Sequence, residues 1–289
     1  MSRNFVLLTD SGSDLDVNYC EKNDVHTLKL GYSINNEDYN EEDGKELEVK
    51  DFYKMLKDGA MPKTSQVNAG VAKKCFEKYL KEKKDILVIS FSSGLSGTFN
   101  SYNIAANELN DEYENKVYIV DSLCASLGQG LFLEYIIRFI NEGKTILEVV
   151  DYAEELKLKI RHEFTVDDLF HLKRGGRVSA TTAIVGSLMG IKPILHVDDN
   201  GKLIAIDKVR GRKGSLKYLA KCFIDNNDIE DNEPVFISHA DSIEDANYLK
   251  DLILENRPNV EIYINYIGPV IGAHAGQGTI ALFYKGKKR

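Results

Sequence analysis

Short apolar runs alternate with segments of helical period along nearly the whole chain, and this alternation confines it to layered α/β architecture. Asn4–Thr9, Ile86–Phe91 and Lys116–Val120 read as strands, and Val25–Tyr32 and Ser33–Tyr39 as extended segments about a polar turn. Gln66–Lys84, Asn100–Leu109, Gly128–Asn141 and Ile146–Leu158 read as helices. Past Glu163 the rhythm restarts. Strands are expected at Phe164–Val166, Ile194–Val197, Leu203–Val209, Val235–His239, Val260–Tyr266 and Ile280–Tyr284. Helices are expected at Ser179–Met189, Leu216–Ile224 and Ala246–Glu255, with a hairpin turn at Asp198-Asp199-Asn200-Gly201-Lys202. Two such runs predict two α/β domains, 1–163 and 164–289, each a layered sheet flanked by helices.

With 289 residues the chain can bury a substantial core. No apolar run approaches the roughly 18 residues of a membrane span, and the apolar run after Asn4 is too short for a signal peptide. Cys20, Cys75, Cys124 and Cys222 are far apart and form no CxxC pair. Reduced thiols in a cytoplasm are expected, without a structural zinc or a disulfide framework. The net charge of −8 disfavours general nucleic-acid binding. Yet residues 171–221 hold 11 basic side chains against Asp198, Asp199 and Asp207. Such a segment suits a local anion or an acidic partner surface.

The chemistry concentrates where the strand Ile86–Phe91 runs into Ser92-Ser93-Gly94-Leu95-Ser96-Gly97-Thr98. A turn at the carboxyl end of a strand, rich in glycine and hydroxyls and opening a helix, suits an oxyanion. A Walker loop would need a lysine that is missing, and a nucleophile elbow a glycine one residue later than Gly97. No GxGxxG occurs. After the first strand, Asp10-Ser11-Gly12-Ser13-Asp14 has Gly12 where an aspartyl phosphatase wants its second acid. Five histidines lie apart without metal-ligand spacing, so neither a metal nor another cofactor is expected. His274 differs, standing in the glycine-rich Gly272–Thr279 segment, expected as a loop.

In their order, these pieces resemble the DegV family of bacterial fatty-acid-binding proteins. The resemblance covers essentially the whole chain. It rests on TDSGSDL at 9–15, KTSQ at 63–66, SSGLSGT at 92–98, VDS at 120–122, LKRGGRVS at 172–179, KPIL at 192–195 and GAHAGQGT at 272–279. It implies two α/β domains enclosing one long-chain fatty acid, the carboxylate held by hydroxyls of Thr64 and Ser96 with His274 near the head group. It further implies a non-catalytic carrier that presents the acid to a separate kinase for acyl phosphate formation in phospholipid metabolism. Arg177 and Arg210 become candidate kinase contacts. Val67 and Gln277 stand where the family usually has proline. Val67 would let the following helix start sooner, and Gln277 brings an amide able to bond the head group.

The energetics suit a carrier. Each buried methylene contributes about 0.8 kcal/mol, so a tail of about 16 carbons could gross ~10 kcal/mol. Hydrogen bonds to the charged head contribute about 1.5–3 kcal/mol each, and orient it. A protonated His274 would help keep the carboxylate ionised, and the apolar helix Ser179–Met189 is a candidate tunnel wall. Other classes stay open: a small-molecule phosphotransferase or hydrolase using Asp10 or His274, and a DNA-binding regulator using 171–221, for which no helix-turn-helix signature is found.

Overall fold

The computed structural model of the chain describes residues 3–39, 45, 47–178 and 190–289. A four-stranded parallel sheet carries the amino-terminal half: β1 (Phe5–Asp10), β2 (Val25–Leu28), β6 (Asp85–Ser90) and β7 (Val117–Asp121), in the order β2-β1-β6-β7. Between its strands, β3 (Gly31–Ile34), β4 (Glu37–Tyr39) and β5 (Lys63–Ser65) form a small antiparallel sheet. The second large sheet comprises β8 (Ile160–Thr165), β9 (Ile191–Val197), β10 (Leu203–Arg210), β11 (Pro234–His239), β12 (Glu261–Tyr266) and β13 (Ile280–Lys285). Its order is β10-β9-β8-β13-β11-β12, antiparallel except for β11 with β12.

The central strands β1, β6 and β13 are apolar because both of their faces are covered. On β1, Phe5 and Leu7 face one core while Val6 and Leu8 face another, and β6 divides Leu87 and Ile89 from Ile86 and Val88 in the same way. On β13, Ile280, Leu282 and Tyr284 pack under the helices Arg212–Asn226 and Ile243–Leu254, while Ala281 and Phe283 face inward. The inward core is continuous from Leu7 and Ile89 of the first sheet to Phe164, Leu195 and Phe283 of the second. Helix Leu127–Asn141 lies in it, buried from Leu127 through Leu133 and again at Tyr135, Ile136, Ile137 and Ile140. A helix apolar over most of its circumference, with only Glu134 and Arg138 paired along one partly open edge, belongs between layers.

Several sequence expectations are corrected locally. Val67 does not open a helix. It is buried, and Asn68 caps a helix running Ala69–Lys81 by accepting from Val71 N–H at 2.9 Å. The strand expected at Phe164–Val166 begins earlier, at Ile160. His274 lies in helix Pro269–Ala275, not in a loop. The strand Lys63–Ser65 and the helix Val49–Lys57 carried no recognised signal. The candidate wall helix Ser179–Met189 lies outside the described residues.

Buried polar groups tie the two large sheets together. Asp14, at φ 52°, accepts from Ser126 Oγ at 2.5 Å and from Gly268 N–H at 3.0 Å, and its carbonyl accepts from Asn265 Nδ2 at 2.9 Å. Burial raises the Asp14 carboxyl from 3.8 to about 7, against the lowering effect of the Ser126 and Gly268 donors. A folded state that holds this proton is stabilised most below the unfolded value, and loses that contribution as pH rises through about 7. Asp14→Asn is therefore expected to become more stable relative to wild type as pH rises from about 4 to about 7, read by urea unfolding. A difference constant across that window would contradict this protonation behaviour.

Candidate functional site

Between the sheets lies a cavity of about 370 Å³. Its walls are mostly apolar, with Leu30, Phe91, Phe164, Ile267, Val270 and Phe283 among them. At one end are Thr64, Gln66, Ser96, Arg177 and His274. An apolar cavity with a few convergent polar groups is the general form of a small-ligand site.

The turn after β6 is fixed before any ligand arrives. Phe91 N–H donates to Asp10 Oδ2 at 2.9 Å, and Ser92 Oγ donates to Gly201 O of the β9–β10 turn at 2.8 Å. Leu95 and Ser96 N–H both donate to Ser92 O at 3.1 Å. Asp10 also accepts from Gly12 N–H at 3.1 Å and Gln129 Nε2 at 3.3 Å. Burial pushes its carboxyl up to about 6, opposed by those donors and by the Tyr102 hydroxyl. Asp10 does not line the cavity. It clamps two strand ends.

Ser96 Oγ accepts from Thr98 N–H at 3.2 Å and pairs with Thr98 Oγ1 at 3.0 Å. Thr98 Oγ1 in turn accepts from Val67 N–H at 3.3 Å, joining the TSQ segment to the SGT turn. Either hydroxyl of this pair can donate; the arrangement in which Thr98 donates frees the Ser96 proton for a ligand in the cavity. Thr64, on β5, has Oγ1 2.8 Å from His274 Nε2. His274 Nδ1 is buried with no hydrogen-bond partner among the described residues and faces Gly175, where a Cβ would lie 2.1 Å away. A bare nitrogen is cheaper to bury there than an unpaired N–H, so the proton belongs on Nε2 and Thr64 accepts it. The Thr64 hydroxyl then also has a proton to offer the cavity.

His274 is neutral. Burial, with smaller effects from Arg177 and Arg174, lowers its pKa to about 4. This corrects the protonated ring expected from sequence: two guanidiniums already supply positive charge beside it. Gln277 donates from Nε2 to Asp241 at 2.9 Å and does not line the cavity, so its amide is engaged away from the head-group end. Arg177 is half-buried and lines the cavity; its Nε donates to Leu95 O at 3.2 Å and its Nη1 to Gly175 O. Arg210 is exposed on β10, the edge strand, well apart in role from the cavity lining.

Ser126, His162, Phe164 and Phe283 also line the cavity and were not singled out from sequence. The alternation of Ala281 and Phe283 against Ile280 and Leu282 carried that signal for β13. His162 was hidden because β8 begins earlier than expected.

These features define a class: an α/β protein with an apolar chamber between two sheets, closed at one end by hydroxyl and guanidinium donors. Sequence and structure comparisons agree on which class. The sequence model described as "Uncharacterised protein, DegV family" matches residues 4–287, and the chain belongs to the DegV family. It is 45% identical over 286 residues to a DegV domain-containing protein of Clostridium perfringens, covering 98% of each chain. The crystal structure of DegV, a fatty acid binding protein from Bacillus subtilis, is 31% identical with a TM-score of 0.84, covering 99% of this chain and 100% of that one. A DegV family protein from Thermus thermophilus described for its fatty acid binding is 27% identical with a TM-score of 0.87, covering 98% and 99%.

Nuclear magnetic resonance of ring protons tests the electrostatics of the site. The His274 ring is expected to titrate with a midpoint at about 4 rather than 6.5. A midpoint at or above 6.5 would show an imidazolium at neutral pH and contradict the hydrogen-bond direction assigned to Thr64.

Proposed function

We propose that this protein is a non-catalytic carrier of a long-chain fatty acid. The observation that carries the reading is one chamber, largely apolar, with two hydroxyls, Thr64 and Ser96, brought together at its polar end and each already hydrogen-bonded within the protein. An ionised carboxylate accepts such donors, and an alkyl chain fills the remainder. Arg177 supplies charge to the same end, and His274 acts by orienting Thr64. Fatty-acid binding by solved relatives supports the same ligand.

The kinase partner belongs to this reading as well. Presentation to a separate kinase, giving acyl phosphate in a cytoplasm, accords with a site that holds an acid by its oxygens yet offers no group placed to activate it. Asp10, the alternative nucleophile, is buried, engaged by several donors and absent from the cavity wall. Arg210 and its basic neighbours on the exposed edge strand are the proposed docking contacts; Arg177, the other candidate, is half-buried and lines the cavity, so its proposed part lies with the head group. The two lobes are proposed to divide at 1–163 and 164–289 as expected from sequence, with the second sheet's first strand, β8, already under way at Ile160.

Delipidated protein should gain thermal stability on addition of palmitate, and Ser96→Ala should fold normally but bind about tenfold more weakly, the scale of one hydrogen bond to a charged group. Absence of any shift with saturated acids from about 12 to about 20 carbons would reject the carrier reading. Equal affinity in Ser96→Ala would reject the head-group assignment.

A further inference from the structure

The register of the second sheet shows where the chamber stops. On the inward face of β13, Ala281 pairs with Phe164 of β8, and two residues deeper Phe283 pairs with His162. Between β8 and β9, Glu163 faces His196, which brings Val197 of β9 level with His162, and Val197 pairs with Leu203 of β10. Leu203, Val197, His162 and Phe283 therefore form one row across four strands, and all four line the cavity. The next pair on that face, Ile160 with Lys285, does not. Nearer the head-group end the cavity meets only small residues here, Ala281 of β13 and Thr279 just before the strand. Phe283 lies three strand residues beyond Ile280, where β13 begins, about 10 Å at the usual rise.

We propose that this row is the stop that sets acyl-chain length, with His162 its rigid element. The inference rests on the fatty-acid reading given above. The imidazole is fixed at both nitrogens: Nδ1 is 3.2 Å from Ile160 O, and Nε2 accepts from Ala125 N–H at 3.3 Å. Its ring meets Phe283 edge-on, centroids 5.2 Å apart at 89°. Gly128, at the start of the central helix, lets both rings approach. A Cβ there would lie 2.2 Å from His162 Nε2 and 2.8 Å from Phe283 Cδ1. A leucine in the same place could change rotamer to admit a longer tail. A ring held by two hydrogen bonds and wedged between Phe283 and the helix start cannot do so without losing them. Burial keeps it uncharged, its pKa well below 6.5, so it meets a methyl end as a flat, neutral surface.

Competition among saturated fatty acids of increasing length, against one fluorescent acid, reads the stop directly. His162→Ala should move the preferred length up by about two carbons, since close-packed walls respond to single methylenes. Val197→Phe, which fills the same row, should move it down. Opposite shifts cannot come from general loosening. If His162→Ala does not fold, Phe283→Leu takes its place as the lengthening variant. Folded variants that keep the wild-type length preference would overturn the stop while leaving the carrier reading intact. A wild-type protein that binds none of the acids would overturn both.

Discussion

A carboxylate at the end of an apolar chamber must find its donors already in place, because an apolar lining leaves an unpaired charge at a high cost. Much of this structure follows from that constraint. The hydroxyls of Thr64 and Ser96 come from separate segments, the short strand Lys63–Ser65 and the turn after β6. They are brought to one place by the bond from Val67 N–H to Thr98 Oγ1 and by the hydrogen bond between Thr64 and His274. Each hydroxyl is already engaged by the protein, Ser96 Oγ by Thr98 N–H and Thr64 Oγ1 by His274 Nε2. Acceptors already satisfied by the fold are what turn ordinary alcohols into directed donors.

Behind them stands a second tier that never meets the chamber. Asp10 holds Phe91 and Gly12 so that the serine-glycine turn leaves β6 at a fixed angle. Asp14 joins Ser126 to Gly268 at the start of the helix that carries His274. Both carboxyls are buried and raised, so the fold carries an electrostatic cost to fix the site's geometry. Helix Leu127–Asn141 completes the arrangement. Buried over most of its surface, it brings its N-cap Ser126 to the chamber wall and Gly128 beneath the His162 ring.

The architecture was largely legible in the sequence, since buried strands and amphipathic helices write their periods plainly. Ile86–Phe91 and Gly128–Asn141 shifted by only a residue against Asp85–Ser90 and Leu127–Asn141. Thr64, Ser96 and His274 were reachable through the family resemblance, and all three line the chamber. Less visible was whatever depended on partners distant in the chain. Lys63–Ser65 is a strand only because β3 pairs with it, and its three polar residues have no strand signature of their own. The state of His274 could not be read from its glycine-rich surroundings, because burial and the guanidiniums of Arg177 and Arg174 decide it. Arg177 looked like a surface cation in a basic segment. The fold instead turns it half inward, onto Leu95 O.

A crystal structure of the protein grown with palmitate tests the central claim most directly. The carboxylate is predicted within hydrogen-bonding distance of both Thr64 Oγ1 and Ser96 Oγ, with the alkyl chain extending toward Phe164 and Phe283. A lipid lying head-first against Phe283, or a chamber closed by repacked side chains with the acid bound elsewhere, would contradict it.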